Sequence, residues 1–305
     1  RIGARLPKTP LVRSAWLSSI AKGDVFLKLE SVNLTNSFKI RGAMNAAMRL
    51  SEGGRTTTIV TASAGNHGRA MALAAEELGL TCVVFTPATA PEAKQSAIRR
   101  HGAVLHSDCA DYDTAERRAK ELAGQDGAVY ISPYNHADVI AGAGTIGLEI
   151  VEELADVDVV VIPLGGGGLA SGMGLAIKAA APTATIVGVE VEASTPFAVS
   201  VEAGRITRIE PQPSLADGLV GNLDPDAMTF ELVRQIVDSM ASVSEDELTR
   251  AMKGLAAEER LIVEGAGATA VAAVLAGKAS APGQRVAVMV TGSNVDLPKW
   301  LDAIR

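Results

Sequence analysis

The chain has 305 residues, enough for about two domains at ~150 residues each and well beyond the size at which a core needs disulfides or metals. Its composition is 48% hydrophobic and 21% charged; a formal net charge of −7 and only 3% aromatic residues exclude the basic footprint and stacking platforms of a nucleic-acid binder. Two cysteines, Cys82 and Cys109, are too few for a disulfide scaffold and point to a reducing cytoplasm. No apolar run reaches the ~18 residues of a membrane span, and no signal-peptide core is visible. The first residue is Arg1 rather than Met, so a short initial segment is expected to be missing.

The first informative stretch is Asn36-Ser37-Phe38-Lys39-Ile40-Arg41-Gly42-Ala43, which sets one lysine between apolar neighbours, just after an expected strand and just before an expected helix. Held out of bulk water, such an amine has a lowered pKa and is free for Schiff-base chemistry. A solvated lysine at a helix start is the plainer alternative. Residues 57–61 then predict a strand and 69–75 a helix, joined by Ser63-Ala64-Gly65-Asn66-His67-Gly68. A small-residue loop feeding a helix N-terminus offers backbone N–H groups and partial positive charge to an anion such as a carboxylate. A simple capped turn would read the same way.

Strands are next predicted over 81–85, 103–105 and 128–131, with helices over 91–100, 114–122 and 145–154. An apolar strand at 157–162 and a helix at 170–180 flank Pro163-Leu164-Gly165-Gly166-Gly167-Gly168-Leu169. The run is neither a Walker loop, since no Gly-Lys-Ser/Thr follows, nor a Gly-x-Gly-x-x-Gly dinucleotide loop. It fits a wrapped phosphate or a tight turn. Glu264 opens an expected helix at 265–275, and the apolar Val288-Met289-Val290 ends in Thr291-Gly292-Ser293-Asn294, which can present one hydrogen bond to a flat ring. The alternation of strands and helices predicts parallel sheets covered by helices on both faces, with ligands at the strands' carboxyl ends.

In this order the motifs resemble those of the fold-type II pyridoxal-phosphate enzymes, the fold of the tryptophan synthase beta chain, and within them the threonine/serine dehydratases and serine racemases. The resemblance covers nearly the whole chain. Besides the four stretches above it takes in Ile140-Ala141-Gly142-Ala143-Gly144-Thr145, Leu215-Ala216-Asp217-Gly218, Val263-Glu264-Gly265-Ala266-Gly267 and the continuation Val295-Asp296. It implies an α/β fold of two open, mostly parallel sheets with helices on both faces. It also implies a large cofactor-binding domain of residues 1–45 and 138–305, a small inserted domain of residues 46–137, and pyridoxal 5′-phosphate as cofactor.

By the same resemblance, Lys39 carries the cofactor and then acts as the base that removes the Cα proton. Phe38 flanks it. Asn66 bonds the cofactor's phenolic oxygen; Gly165, Gly166, Gly167, Gly168 and Leu169 hold the phosphate; Gly218 and Glu264 lie close to the ring. Ser63, Ala64, Gly65, Asn66 and His67 surround the substrate carboxylate, although His67 could equally cap or pack. Thr291 stands where the family usually has Ser and meets the pyridine nitrogen. An alcohol cannot keep that nitrogen protonated as an aspartate does, so the ring is a weaker electron sink and loss of a β-hydroxyl is favoured over transamination.

The implied reaction is an ammonia-lyase (dehydratase) reaction on a β-hydroxy amino acid, L-threonine or L-serine, giving a 2-oxo acid and ammonia. Serine racemisation is the nearest alternative, but racemases of this family use a Ser second in the Asn loop, where this chain has Ala64, which cannot transfer a proton. Arg69, in place of a common Gln, and Ser293, in place of a Gly, could each alter the pocket, and the extra cation of Arg69 keeps 3-hydroxyaspartate open as substrate; Arg69 could also be an exposed residue of the first helical turn. Glu190 matches the start of a divalent-cation site of some relatives, yet Pro196 replaces its third ligand, so a tight Mg²⁺ site, and hence a metal, is not expected, although Glu192 or Asp217 could substitute or merely face solvent. A non-catalytic amino-acid or anion-binding protein is the alternative of another class, one that does not need Lys39. A cytoplasmic homodimer or homotetramer acting on a small amino acid, without nucleic acid or membrane, completes the expectation. Only nine residues follow Asp296, so no C-terminal regulatory domain is expected.

Overall fold

The computed structural model describes residues 1–53, 57–125 and 127–305. The chain divides into two compact units, Arg1–Pro7 with Phe38–Ala143, and Lys8–Ser37 with Gly144–Arg305. Residues 46–137 fall wholly in the first unit, where 1–7, 38–45 and 138–143 pack with them.

The first unit holds a four-stranded sheet in the order Val104–Cys109, Thr81–Pro87, Thr58–Ala62, Ala128–Tyr130. All its pairings are parallel, and Thr58 is level with both Thr81 and Ala128, so the carboxyl ends of three strands lie side by side. The edge strand runs to Cys109, beyond the expected 103–105, because its later residues His106, Ser107 and Asp108 are polar and at least partly exposed, a pattern that suits an edge rather than a core strand. Helix Lys39–Glu52 packs on helix Asn66–Leu78 through Ile40, Ala43, Met44 and Ala47 against Ala70, Met71 and Ala74, small side chains that let the two helices approach closely. Lys39 is itself the first residue of its helix. The strand expected just before it is Asp24–Leu29, with a 3-10 turn at Glu30–Val32 and a loop intervening.

The second unit holds a six-stranded sheet in the order Leu11–Arg13, Asp24–Leu29, Arg285–Val290, Val159–Pro163, Thr185–Val191, Ser239–Val243. Only the edge strand Leu11–Arg13 is antiparallel among these pairings. Val159–Pro163 is buried along its whole length, as a parallel strand covered on both faces must be. Helix Gly265–Leu275, found at the expected bounds, is apolar all round and buried. Lys28 is also buried, its Nζ 2.8 Å from Glu149 and donating to the Thr9 carbonyl at 2.7 Å. The helix expected over 145–154 runs Ala137–Glu153. Among the described residues, no helix is long and apolar enough to cross a membrane.

Candidate active site

In the first unit, the start of helix Lys39–Glu52 holds the Lys39 side chain half-buried. Its Nζ donates to the Pro133 carbonyl at 2.8 Å and lies 5.1 Å from the centroid of the Phe38 ring. Pro133 follows strand Ala128–Tyr130, whose carboxyl end neighbours that of Thr58–Ala62, the strand that feeds the Asn loop. Ser63, Ala64, Gly65 and Asn66 are half-buried. The Ser63 hydroxyl accepts from the Gly65 N–H at 3.2 Å, and Asn66 opens helix Asn66–Leu78 without a side-chain cap at Gly65. The first-turn N–H groups of such a helix have no intrahelical acceptors, so they suit a carboxylate. A Cβ on Gly68 would collide with the Ser63 carbonyl, which explains the glycine there.

His67 behaves differently from its loop. It is 2% exposed, and its Nε2 donates to the Ile131 carbonyl at 3.3 Å. Burial, then the charge on Lys39, pushes its pKa down to about 3, so the ring is neutral. With the proton on Nε2, Nδ1 is an acceptor, and among the described residues it has no partner. The ring therefore packs, and what His67 can give an anion is its backbone N–H. Arg69 is half-buried rather than exposed, and burial, with Arg100 nearby, lowers its pKa.

In the second unit, Gly165 and Gly166 are half-buried at the end of strand Val159–Pro163, while Gly167, Gly168 and Leu169 are buried. Gly167 has φ +82°, and helix Gly168–Ala180 starts there without a side-chain cap. The 3-10 turn Asp217–Leu219, which carries Gly218, closes on this loop: a Cβ on Gly165 would stand 3.1 Å from Leu219 Cα. Thr291, 4% exposed, directly follows strand Arg285–Val290, and its hydroxyl donates to the Ala266 carbonyl over a long 3.4 Å. Glu264 precedes helix Gly265–Leu275, and its N–H donates to the Gly292 carbonyl at 3.2 Å. Glu190 engages both carboxylate oxygens on backbone N–H groups, those of Phe197 and Ala198.

The second unit thus brings Gly165, Gly218, Glu264 and Thr291 into one neighbourhood, and the first brings Lys39 together with His67. Pro133, Ile131 and His136 were not singled out from the sequence. His136 Nδ1 accepts from the Asp138 N–H at 3.2 Å, and burial lowers its pKa. A signal for this segment existed, since it follows the carboxyl end of a parallel strand, where open α/β sheets bind ligands.

A family model for pyridoxal-phosphate dependent enzymes matches residues 5–292. The chain is 42% identical over 290 residues to the L-threonine ammonia-lyase of Thermotoga maritima, covering 95% of this chain and 72% of that one. Among solved structures it is similar to the processed form of threonine deaminase isoform 2 from Solanum lycopersicum, with a TM-score of 0.90 and 33% identity, covering 98% of this chain and 87% of that one. It is also similar to maize serine racemase, with a TM-score of 0.92 and 32% identity, covering 100% of this chain and 93% of that one. The fold-type II architecture expected from the motifs is the one observed. The chain belongs to the pyridoxal-phosphate dependent enzyme family.

Proposed function

We propose that the protein is a pyridoxal-phosphate dependent ammonia-lyase that converts a β-hydroxy amino acid, L-threonine or L-serine, to a 2-oxo acid and ammonia. The observation that carries this reading is the Lys39 amine, half-buried at a helix start and oriented by the Pro133 carbonyl at 2.8 Å. The cofactor's groups find suitable residues. Gly167 at φ +82° leaves no room for a side chain, so the loop offers backbone N–H groups and an uncapped helix start to a phosphate. Thr291, whose hydroxyl makes a long 3.4 Å bond to the Ala266 carbonyl among the described residues, has a hydroxyl to turn toward a ring nitrogen.

When bound, pyridoxal phosphate supplies an electron sink that acidifies the substrate Cα–H. Lys39 would hold it through Nζ, and the free Nζ would accept the substrate's Cα proton. The Pro133 carbonyl gives the resulting ammonium an acceptor. The start of helix Asn66–Leu78 would orient the substrate carboxylate, and Asn66 would hold the ring through its phenolic oxygen. Ala64 has no proton to transfer, which supports elimination over racemisation.

In this reading residues 1–45 and 138–305 make up the cofactor-binding domain and 46–137 the small one. The enzyme is cytoplasmic, consistent with the buried free thiols of Cys82 and Cys109, and assembles as a homodimer or homotetramer. The test is a panel of L-threonine, L-serine, D-serine and threo-3-hydroxyaspartate with 2-oxo acid and ammonia measured together. L-threonine or L-serine should give both products in equal amounts. No release from either would reject the reading.

A further inference from the structure

Glu190, in strand Thr185–Val191, is 1% exposed, yet its carboxylate meets another element. Its oxygens accept the N–H groups of Phe197 at 2.8 Å and Ala198 at 2.9 Å, in the first turn of helix Pro196–Ala203. Thr195, at that helix's own cap position, supplies no side-chain bond, so Glu190 caps the helix from the neighbouring strand. The helix so anchored sets the fully buried Phe197 ring against the glycine loop: a Cβ on Gly167 would stand 2.5 Å from the ring's Cζ. A second support arrives from helix Met228–Ile236. Thr229, also fully buried, donates its hydroxyl to the Gly166 carbonyl at 2.8 Å, and its Cβ would lie 3.1 Å from a Cβ on Gly167.

Adjacent peptide units of the loop are therefore fixed by a ring and a hydroxyl. A run of four glycines has more backbone freedom to lose than any other sequence, so an unsupported loop would be ordered by its ligand at the ligand's expense in affinity. We infer that Glu190, acting through Phe197, and Thr229 are positioning residues that hold residues 165–168 in the form that takes the cofactor's phosphate. The inference rests on the reading above that this loop holds the phosphate.

The experiment compares equilibrium binding of pyridoxal phosphate with that of pyridoxal, which has the same ring and aldehyde but no phosphate, by the visible absorbance of each bound form. Thr229→Val keeps the shape and removes only the donor, whereas Thr229→Ser keeps the donor. Thr229→Val, Glu190→Gln and Phe197→Leu should each weaken pyridoxal phosphate about tenfold, the loss of roughly one buried contact. Pyridoxal affinity should stay at the wild-type value, Thr229→Ser should bind pyridoxal phosphate as the wild type does, and Glu190→Gln/Phe197→Leu should be no weaker than either single variant. If Thr229→Val and Glu190→Gln bind pyridoxal phosphate as tightly as the wild type, or weaken both ligands equally, the positioning role is overturned. A wild type that binds pyridoxal phosphate no better than pyridoxal overturns the phosphate loop itself.

Discussion

Lys39 Nζ lies on the Pro133 carbonyl oxygen at 2.8 Å, and its charge helps to hold the buried His67 ring neutral. One polypeptide segment serves both groups, because the Ile131 carbonyl accepts from the His67 Nε2–H and, two residues later, the Pro133 carbonyl accepts from the Lys39 amine. The amine that is to move protons is thus flanked by an imidazole that does not titrate near neutral pH.

That neutrality sets a pH dependence. His67 falls from an ordinary 6.5 to about 3, so its stabilising contribution is complete above pH 6.5 and is lost as pH falls toward 3, at a slope approaching ~1.4 kcal/mol per pH unit. Glu190 has the opposite sign. Burial, against the two N–H groups it accepts, raises its carboxyl from 4.5 to about 7, so its contribution is complete below pH 4.5 and is lost as pH rises to 7. The two slopes oppose each other between pH 4.5 and 6.5. Urea denaturation across that window should show stability falling with pH in His67→Gln relative to the wild type, and rising in Glu190→Gln. Parallel profiles for all three proteins would refute both assignments.

Thr291 offers a hydroxyl and no charge at the end of strand Arg285–Val290. Thr291→Ser should leave turnover within about twofold, since the hydroxyl is retained. Thr291→Asp should stabilise a protonated ring nitrogen and divert part of the flux to transamination. Product analysis by chromatography checks this, and an unchanged product ratio in the Asp variant would count against Thr291 as the ring contact.

Ala64 is half-buried in the loop before helix Asn66–Leu78. Wild-type protein given L-serine should release oxo acid with little D-serine, whereas Ala64→Ser should add measurable racemisation by placing a second proton-transfer group in the loop. Chiral chromatography, with solvent deuterium at Cα as a second readout, separates the outcomes. A wild type that racemises faster than it eliminates would reverse the ranking of the two reactions.

Most of the strand–helix alternation is legible in the sequence, because buried parallel strands such as Val159–Pro163 are continuous apolar runs between glycine-rich turns. The start of helix Ala137–Glu153 is not. Gly142 and Gly144 read as loop residues, yet they are helical positions where other backbone comes close: a Cβ on Gly142 would collide with the Arg41 carbonyl, and one on Gly144 would lie 3.0 Å from the Gly172 carbonyl. Strand Ser239–Val243 carries two serines and little β-branched character, so its pattern is weak. At the site, Lys39, the Asn loop and the glycine run stand out by side-chain type and spacing. Pro133 and Ile131 act through backbone carbonyls, so only their place after a parallel strand marks them, and Glu190, which stands out in the sequence as a cation-site match, instead caps helix Pro196–Ala203.

Borohydride reduction of the purified enzyme, followed by mass mapping of its peptides, tests the central assignment most directly. The pyridoxyl group should be found on Lys39, and Lys39→Ala should keep the wild-type melting temperature while losing the label, the visible absorbance and L-threonine turnover. A label on another lysine, or ammonia release from L-threonine by Lys39→Ala, would contradict the account.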